Sequence, residues 1–182
     1  KTSRIKGVSI LNNNIEILLN TSRNIHFVGI CGISMSALAL ILKSKGYVVS
    51  GSDINDGNIA ENLRTNGITI YIGHAAENIK DAELIINTAA VKDNPELEEG
   101  RKRNIPIFER AALLGAIMKT YPCPIGVAGT HGKTTTTSMI SSILLSAKTD
   151  PTITVGGNLP AIGGNFRLGD GEHFVFESCE YV

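Results

Sequence analysis

From Ile25 onward, short β-rich apolar runs alternate with stretches whose apolar residues recur at helical spacing. Residues 25–30 read as a strand, and Met35, Leu38, Ile41 and Leu42 then fall on one face of a helix stopped by Gly46. The same pattern predicts strands at 47–50, 68–72, 84–88 and 105–108. It predicts helices at 59–66 (closed by Gly67), 96–103 and 110–119. Strands alternating with helices of this length imply βα crossovers and a parallel sheet covered on both faces. Near-continuous apolar strands such as Leu84-Ile85-Ile86 are what a doubly covered sheet requires.

Pro122 and Pro124 follow the last of these helices and predict a boundary across residues 120–124. A strand at 125–128 opens a second α/β unit, and 173–177 reads as another buried strand. Val182 comes five residues after Glu177, too few to finish a second sheet domain, so the expectation is a chain truncated within that domain. Residues 1–24 form an extension with two readings. Val8 and Ile10, then Ile15, Ile17 and Leu19, alternate around Asn12-Asn13-Asn14 as in a β-hairpin, and a loose tail fits equally well.

Composition narrows the function classes. The 182 residues are 42% hydrophobic, enough for one substantial core or for one domain plus part of another. Seventeen basic residues balance 17 acidic ones, which leaves no global field for nucleic acid or an anionic membrane. Any phosphate binding must therefore be local. Apolar runs such as 37–42 are far too short to span a bilayer, and the N-terminus lacks the order of a signal peptide. Cys31, Cys123 and Cys179 are widely spaced and fit neither a disulfide framework nor a zinc site, which points to a reducing cytoplasm. With no Trp and 5% aromatic residues the chain offers no base-stacking surface.

The strongest chemical signal is Gly129-Thr130-His131-Gly132-Lys133-Thr134-Thr135, placed between a strand and a helix over about 134–147. Glycines let backbone N–H groups turn inward around phosphate oxygens. Lys133 supplies a point charge for the outer phosphates, and Thr134 a hydroxyl for magnesium. The helix dipole adds about 0.3–1 kcal/mol per favourable charge. The spacing departs from the standard P-loop, because Val127 stands where a glycine is expected and Gly126 lies one place early. The bland alternative is a strand–turn–helix connection with an incidental lysine. The Ser/Thr-rich helix start favours nucleotide binding, and with it a P-loop-type ATPase unit over 121–182.

A second glycine turn, Gly29-Ile30-Cys31-Gly32-Ile33-Ser34, follows the first strand. Against the dinucleotide fingerprint Gly29 matches, while Cys31 and Ser34 replace the second and third glycines. Cys31 sets a Cβ where the backbone would approach a pyrophosphate, whereas Ser34 and Ser36 can donate at a helix N-terminus. Asp53 follows Gly29 by 24 residues at a strand end, where a carboxylate can accept a ribose hydroxyl. The reading for 25–120 is a Rossmann-like nucleotide-binding domain.

The segments "IHFVGICGISMSALA", "GSD", "NTAAV", "NP", "GTHGKTTTTSMI", "DPT" and "GGNL", in this order, resemble the Mur ligases. The resemblance runs from about Ile25 to Glu180. It implies a UDP-substrate domain, a central ATPase domain of which only the start is present, and a missing C-terminal domain. It implies UDP-N-acetylmuramate and L-alanine as substrates, with ATP and Mg2+. By resemblance, Gly29, Gly32 and Ser34 would take the UDP pyrophosphate, while Asp53, His74, Thr88, Ala89 and Ala90 would frame the uridine. His74 has a bland alternative as a surface or capping residue. The loop "GGNLPAIGGNFRLG" would approach the sugar through Asn165, with Phe166 where the family has a small residue. Glu177 resembles a second magnesium ligand beside Thr134. The usual following aspartates are absent, although Glu180 matches; Cys179 between them reads as a packed side chain rather than a nucleophile. His131 is either part of the nucleotide loop or a solvent-facing residue.

The implied mechanism is ATP-dependent activation of a carboxylate as an acyl phosphate, attacked by the amine of alanine. Lys133 and the Thr134-bound metal neutralise charge. Three other readings compete: a peptide-recycling ligase, a non-catalytic UDP-sugar-binding module, and an NAD-dependent oxidoreductase. The last leaves "GTHGKTTTT" unexplained.

Overall fold

The computed structural model describes residues 14–88, 91 and 93–178. The chain forms two compact units that divide between Ala116 and Ile117.

The first unit opens with helix α1 (Ile15–Thr21), where the alternation of Ile15, Ile17 and Leu19 had predicted a hairpin arm. Asn14 supplies the reason. Its side-chain oxygen accepts the Glu16 N–H at 3.0 Å, and Glu16 places a negative charge in the first turn. Ile15 is buried while Ile17 stays 39% exposed, so the inward spacing is helical. The other arm of that hairpin lies in residues 1–13, outside the described residues.

The elements that follow are β1 (Asn24–Val28), α2 (Ile33–Ser44), β2 (Val48–Asp53), α3 (Asn58–Thr65) and β3 (Thr69–Ile72). A 3-10 turn (Ala76–Ile79) leads to β4 (Leu84–Asn87), α4 (Pro95–Lys102), β5 (Ile107–Glu109) and α5 (Arg110–Met118). The strands form one all-parallel sheet in the order β3-β2-β1-β4-β5, as the alternating pattern implies. The first half of the sheet grows outward from β1 in one direction and the second half from β4 in the other. The carboxyl ends of β1 and β4 therefore flank the switch point at which such sheets take ligands.

The core follows from the strand composition. Ile25, Phe27, Leu84, Ile85 and Ile86 are at most 1% exposed. Helix α2 buries Met35, Ser36, Ala37, Leu38, Ala39, Ile41 and Leu42. Each large side chain of this kind contributes about 1.5–3 kcal/mol of burial. Leu97 of α4 joins Val28, Ile79 and Ile85 in one buried cluster. Asn94 caps α4 through bonds from the Glu96 and Leu97 N–H groups, and Pro95 takes the first helical position, where no N–H is needed.

The second unit contains β6 (Cys123–Val127), α6 (Lys133–Ser146), β7 (Thr152–Leu159), a 3-10 turn (Pro160–Ile162), β8 (Gly164–Arg167) and β9 (His173–Glu177). Its sheet runs β6-β9-β7-β8. Strand β9 pairs parallel with both β6 and β7, and β8 lies antiparallel on β7. The segment expected to be a sugar-facing loop is thus an antiparallel hairpin. Its tip turns through Pro160–Ile162 and Gly163, which adopts φ +69°, and the β7–β8 register shifts between Thr154 and Leu159. The glycines of the segment are accommodated by that irregular pairing. Arg167 holds the base of the hairpin by pairing with Asp150 and by donating to the Pro151 carbonyl at 2.8 Å. Phe174 lies between Tyr121 and Phe176, with ring centroids 5.0 and 4.9 Å away. Among the described residues no helix is long and apolar enough to cross a membrane.

Candidate functional site

In the first unit the predicted residues gather along one sheet edge. Val28, Ser52 and Asn87 share a register across β1, β2 and β4, so Gly29, Asp53 and Thr88 each stand one residue beyond that line. His74 follows β3 by two residues. The glycine turn is held by N–H bonds from Gly29 and Ile30 to the Ser52 carbonyl, at 2.8 and 3.1 Å. Gly29 sits at φ +80°, and a Cβ there would stand 3.0 Å from the Thr88 methyl. The positive φ favours glycine, and the close approach sets Thr88 directly against the turn. Gly32 precedes α2 without a side-chain cap, which leaves the helix N-terminus to other partners.

Two neighbours alter what this turn offers. The guanidinium of Arg110 donates to Ser34 Oγ at 2.9 Å. Asp53 is 7% exposed, and its Oδ2 accepts the Cys31 N–H at 2.9 Å while Oδ1 accepts the Asn55 N–H at 3.0 Å. The carboxylate expected to meet a ribose thus also fastens the turn to β2. The Cys31 thiol contacts the Asn55 carbonyl at 3.6 Å. Burial and the adjacent Asp53 carboxylate push that thiol up to about 11.

His74 Nδ1 lies 2.9 Å from Ser52 Oγ and 3.2 Å from Glu96 Oε2. Glu96 is fully buried and also receives Ser52 Oγ–H at 2.5 Å and Asn78 Nδ2–H at 2.6 Å. His26 Nε2 stands 3.7 Å from its other oxygen, an ion-pair distance rather than a hydrogen bond. Burial alone would raise this carboxyl. The facing His26 imidazole and the Ser52 and Asn78 bonds outweigh it and hold the group below the ordinary glutamate range.

In the second unit the loop after β6 places Gly132 at φ +75° as the N-cap of α6, with Lys133 as the first helical residue. Thr130, His131, Thr134 and Thr135 are exposed, and Lys133 is half-buried with its ammonium on the Gly129 carbonyl. Glu177, at the end of β9, accepts the Gly156 N–H through Oε1 at 2.7 Å. A Cβ on Gly156 would collide with Glu177 Oε2 at 2.8 Å, and one on Gly157 would meet the Thr134 methyl at 3.1 Å. Glu177 and Thr134 thus each stand against β7, at Gly156 and Gly157 respectively. Both carry oxygen donors, the chemistry a hard divalent cation takes. Asn165 lies on β8 in this unit, apart from the other residues expected to bind UDP. Ala89, Ala90, Cys179 and Glu180 fall outside the described residues.

The chain matches the model of the Mur ligase family, catalytic domain, over residues 24–122 and that of the Mur ligase middle domain over residues 127–181. The chain belongs to the Mur ligase family. The UDP-N-acetylmuramate–L-alanine ligase of Acetivibrio thermocellus is 58% identical over 90% of this chain and 35% of its own length. That of Clostridium beijerinckii is 52% identical over 91% of this chain and 36% of its own. This Mur ligase chain thus spans about a third of the curated relatives it matches. The solved UDP-N-acetylmuramate–alanine ligase of Thermotoga maritima superposes with a TM-score of 0.78 at 40% identity, covering 85% of this chain and 36% of that one. A murein peptide ligase of Psychrobacter arcticus gives 0.79 at 30% identity, covering 88% and 38%.

Sequence reasoning about this Mur ligase chain missed Glu96, Ser52, His26 and Arg110. Glu96 reads as an ordinary first-turn acid beside the helix dipole. The available signal was "NPE" itself, a capped helix start immediately after a strand of the parallel sheet.

Proposed function

We propose that this chain is the UDP-substrate domain (25–120) and the opening of the ATP-binding domain (121–182) of a UDP-N-acetylmuramate–L-alanine ligase. In this reading the longer enzyme joins L-alanine to the lactyl carboxylate of UDP-N-acetylmuramate in the cytoplasm. ATP transfers its terminal phosphoryl group to that carboxylate, the alanine amine displaces phosphate, and the amide forms. The observation that carries the proposal is the relative of that name, 58% identical across 90% of this chain. The alanine-adding reading is preferred to peptide recycling because the solved peptide ligase stands at 30% identity against 40% for the alanine ligase.

The residues divide the labour between two edges. Gly29, Gly32 and Ser34 present the α2 N-terminus to the pyrophosphate, while Asp53, His74, Thr88, Ala89 and Ala90 frame the uridine. Asn165, on β8 of the second unit, is assigned to the sugar by the family resemblance. Gly129 to Thr135 turn N–H groups toward the phosphates of ATP. Lys133, the catalytic cation, releases the Gly129 carbonyl to meet the transferring phosphoryl group. Thr134 and Glu177 hold Mg2+, which supplies charge neutralisation when bound.

Calorimetry with UDP-N-acetylmuramate, ATP and NAD, taken separately, tests the reading. The expected result is UDP-sugar binding, little or no ATP binding, no NAD binding, and no ligation by the 182-residue chain alone. NAD binding would return the first unit to the oxidoreductase class. Turnover by this chain would show that the active site closes without the rest of the protein. In the longer enzyme Lys133→Ala should abolish ATP binding, and unchanged ATP affinity would overturn the loop's assignment.

A further inference from the structure

Glu96 takes no part in the steps above, yet Ser52 of β2, His74 after β3 and Asn78 of the following 3-10 turn hydrogen-bond its buried carboxylate, which the His26 ring of β1 faces at 3.7 Å. Ser52 has one hydroxyl proton, and it is directed to Glu96 Oε2. Toward His74 Nδ1, 2.9 Å away, Ser52 Oγ can therefore only accept. Glu96 Oε2, 3.2 Å from the same nitrogen, is an acceptor as well. With acceptors on both sides, Nδ1 carries the proton. In the neutral ring Nε2 then holds an unshared lone pair. The His74 side chain is 21% exposed, and no described residue hydrogen-bonds its Nε2.

We propose that Glu96 and Ser52 are positioning residues that lock His74 in the Nδ1–H tautomer, so that Nε2 accepts a hydrogen bond from an N–H or O–H donor of the uridine. The inference rests on the UDP-substrate reading of this edge. It adds that the edge selects its ligand by a donor, which the uracil imide or a ribose hydroxyl supplies. Without the pair, the ring has no reason to prefer this tautomer and presents Nε2–H in part of the population, a donor facing a donor.

Long-range 15N–1H correlation spectra of the histidine-labelled chain near neutral pH read the tautomer directly, with His74→Gln used for assignment. The unliganded chain should show a protonated Nδ1 and an unprotonated Nε2 at His74. An Nε2–H ring or an imidazolium would overturn the lock without touching the substrate reading. Glu96→Gln removes the anionic acceptor and frees the Ser52 proton, so His74 should shift toward Nε2–H. Ser52→Ala leaves Glu96 Oε2 as an acceptor and should shift the ring only in part, while Ser52→Thr, which keeps the hydroxyl, should hold Nδ1–H; these test the lock should Glu96→Gln fold poorly. Calorimetry should then show UDP bound about tenfold more weakly by Glu96→Gln, the size of one hydrogen bond. N3-methyl-UDP and the 2′- and 3′-deoxy analogues identify the donor, because the analogue lacking it loses its dependence on Glu96. Persistent dependence for all three analogues would overturn the acceptor role. The expected tautomer in a chain that binds no uridine nucleotide would instead overturn the substrate reading.

Discussion

The two glycine turns look alike in sequence, each joining an apolar strand to a helix, but they are embedded in opposite ways. Helix α2 has 12 residues and buries seven of them, whereas α6 has 14 and buries only Thr137 and Ser141. Behind the first turn the buried Glu96 carboxylate gathers Ser52, His74 and Asn78 by hydrogen bonds and faces the buried His26 ring. The second turn leaves Thr130, His131, Thr134 and Thr135 exposed, with the Lys133 ammonium resting on its own loop. The contrast teaches that one motif can serve two design problems. On the proposed function, the first turn holds a nucleoside in one orientation, which a rigid frame serves. The second closes around a polyphosphate, and its donors stay in water until the anion arrives.

The largest expected effect breaks the first frame. Glu96→Ala removes the acceptor shared by Ser52, Asn78 and His74, and the charge facing His26. It should cost the first unit about 3–5 kcal/mol, because the donors left behind stay buried and unpaired. Urea denaturation followed by residue-resolved amide exchange checks this, since the second unit should keep its protection. A loss under about 1 kcal/mol would mean that water replaces the carboxylate and the frame is not rigid.

Leu38→Ala comes next. Leu38 is 1% exposed on α2, so a cavity opens against the sheet and the cost should be about 2–5 kcal/mol in the same assay. A third effect concerns reactivity. With its thiol held near 11, Cys31 should react with iodoacetamide far more slowly than exposed Cys123, as read by peptide mass mapping. The sign follows from the raised value. Below it the thiol keeps its proton, so the Cys31 rate should climb about tenfold per pH unit and level off only near 11. A rate already flat in mildly alkaline solution would show the thiol to be unburdened by burial and Asp53.

These effects also mark what the chain discloses on reading. Strands such as Leu84-Ile85-Ile86 were legible because a doubly covered parallel sheet demands near-continuous apolar residues, and helix α2 because its apolar face is wide. The α/β class with a parallel sheet followed directly. Helix α1 was misread because Ile15, Ile17 and Leu19 alternate by chance, and the Asn14 cap outweighs that short pattern. The β7–β8 hairpin was read as a loop by family resemblance alone, because its irregular pairing leaves no regular alternation to mark two strands. Glu96 was invisible for a different reason. Its burial depends on His26, Ser52 and His74 arriving from distant strands, and no local spacing encodes that meeting.

The smallest expected effect sharpens the comparison most. On α6, Thr137 and Ser141 are four residues apart and face inward, with buried hydroxyls that find no partner among the described residues. Met139 and Ile143, also four apart, are 62% and 66% exposed along a groove that Leu159 and Pro160 help to line. Two polar side chains thus face inward and two apolar ones outward, whereas α2 buries an almost wholly apolar face. Ile143→Ser therefore removes a side chain that contributes almost no burial, and the stability of this unit should change by less than about 0.5 kcal/mol. The same kind of truncation at Leu38 is expected to cost several times more. A loss of about 2 kcal/mol or more at Ile143 would mean that α6 is rotated in solution, with its apolar stripe turned to the sheet. Its first turn would rotate too, carrying the Thr134 methyl away from Gly157 of β7, against which it packs here.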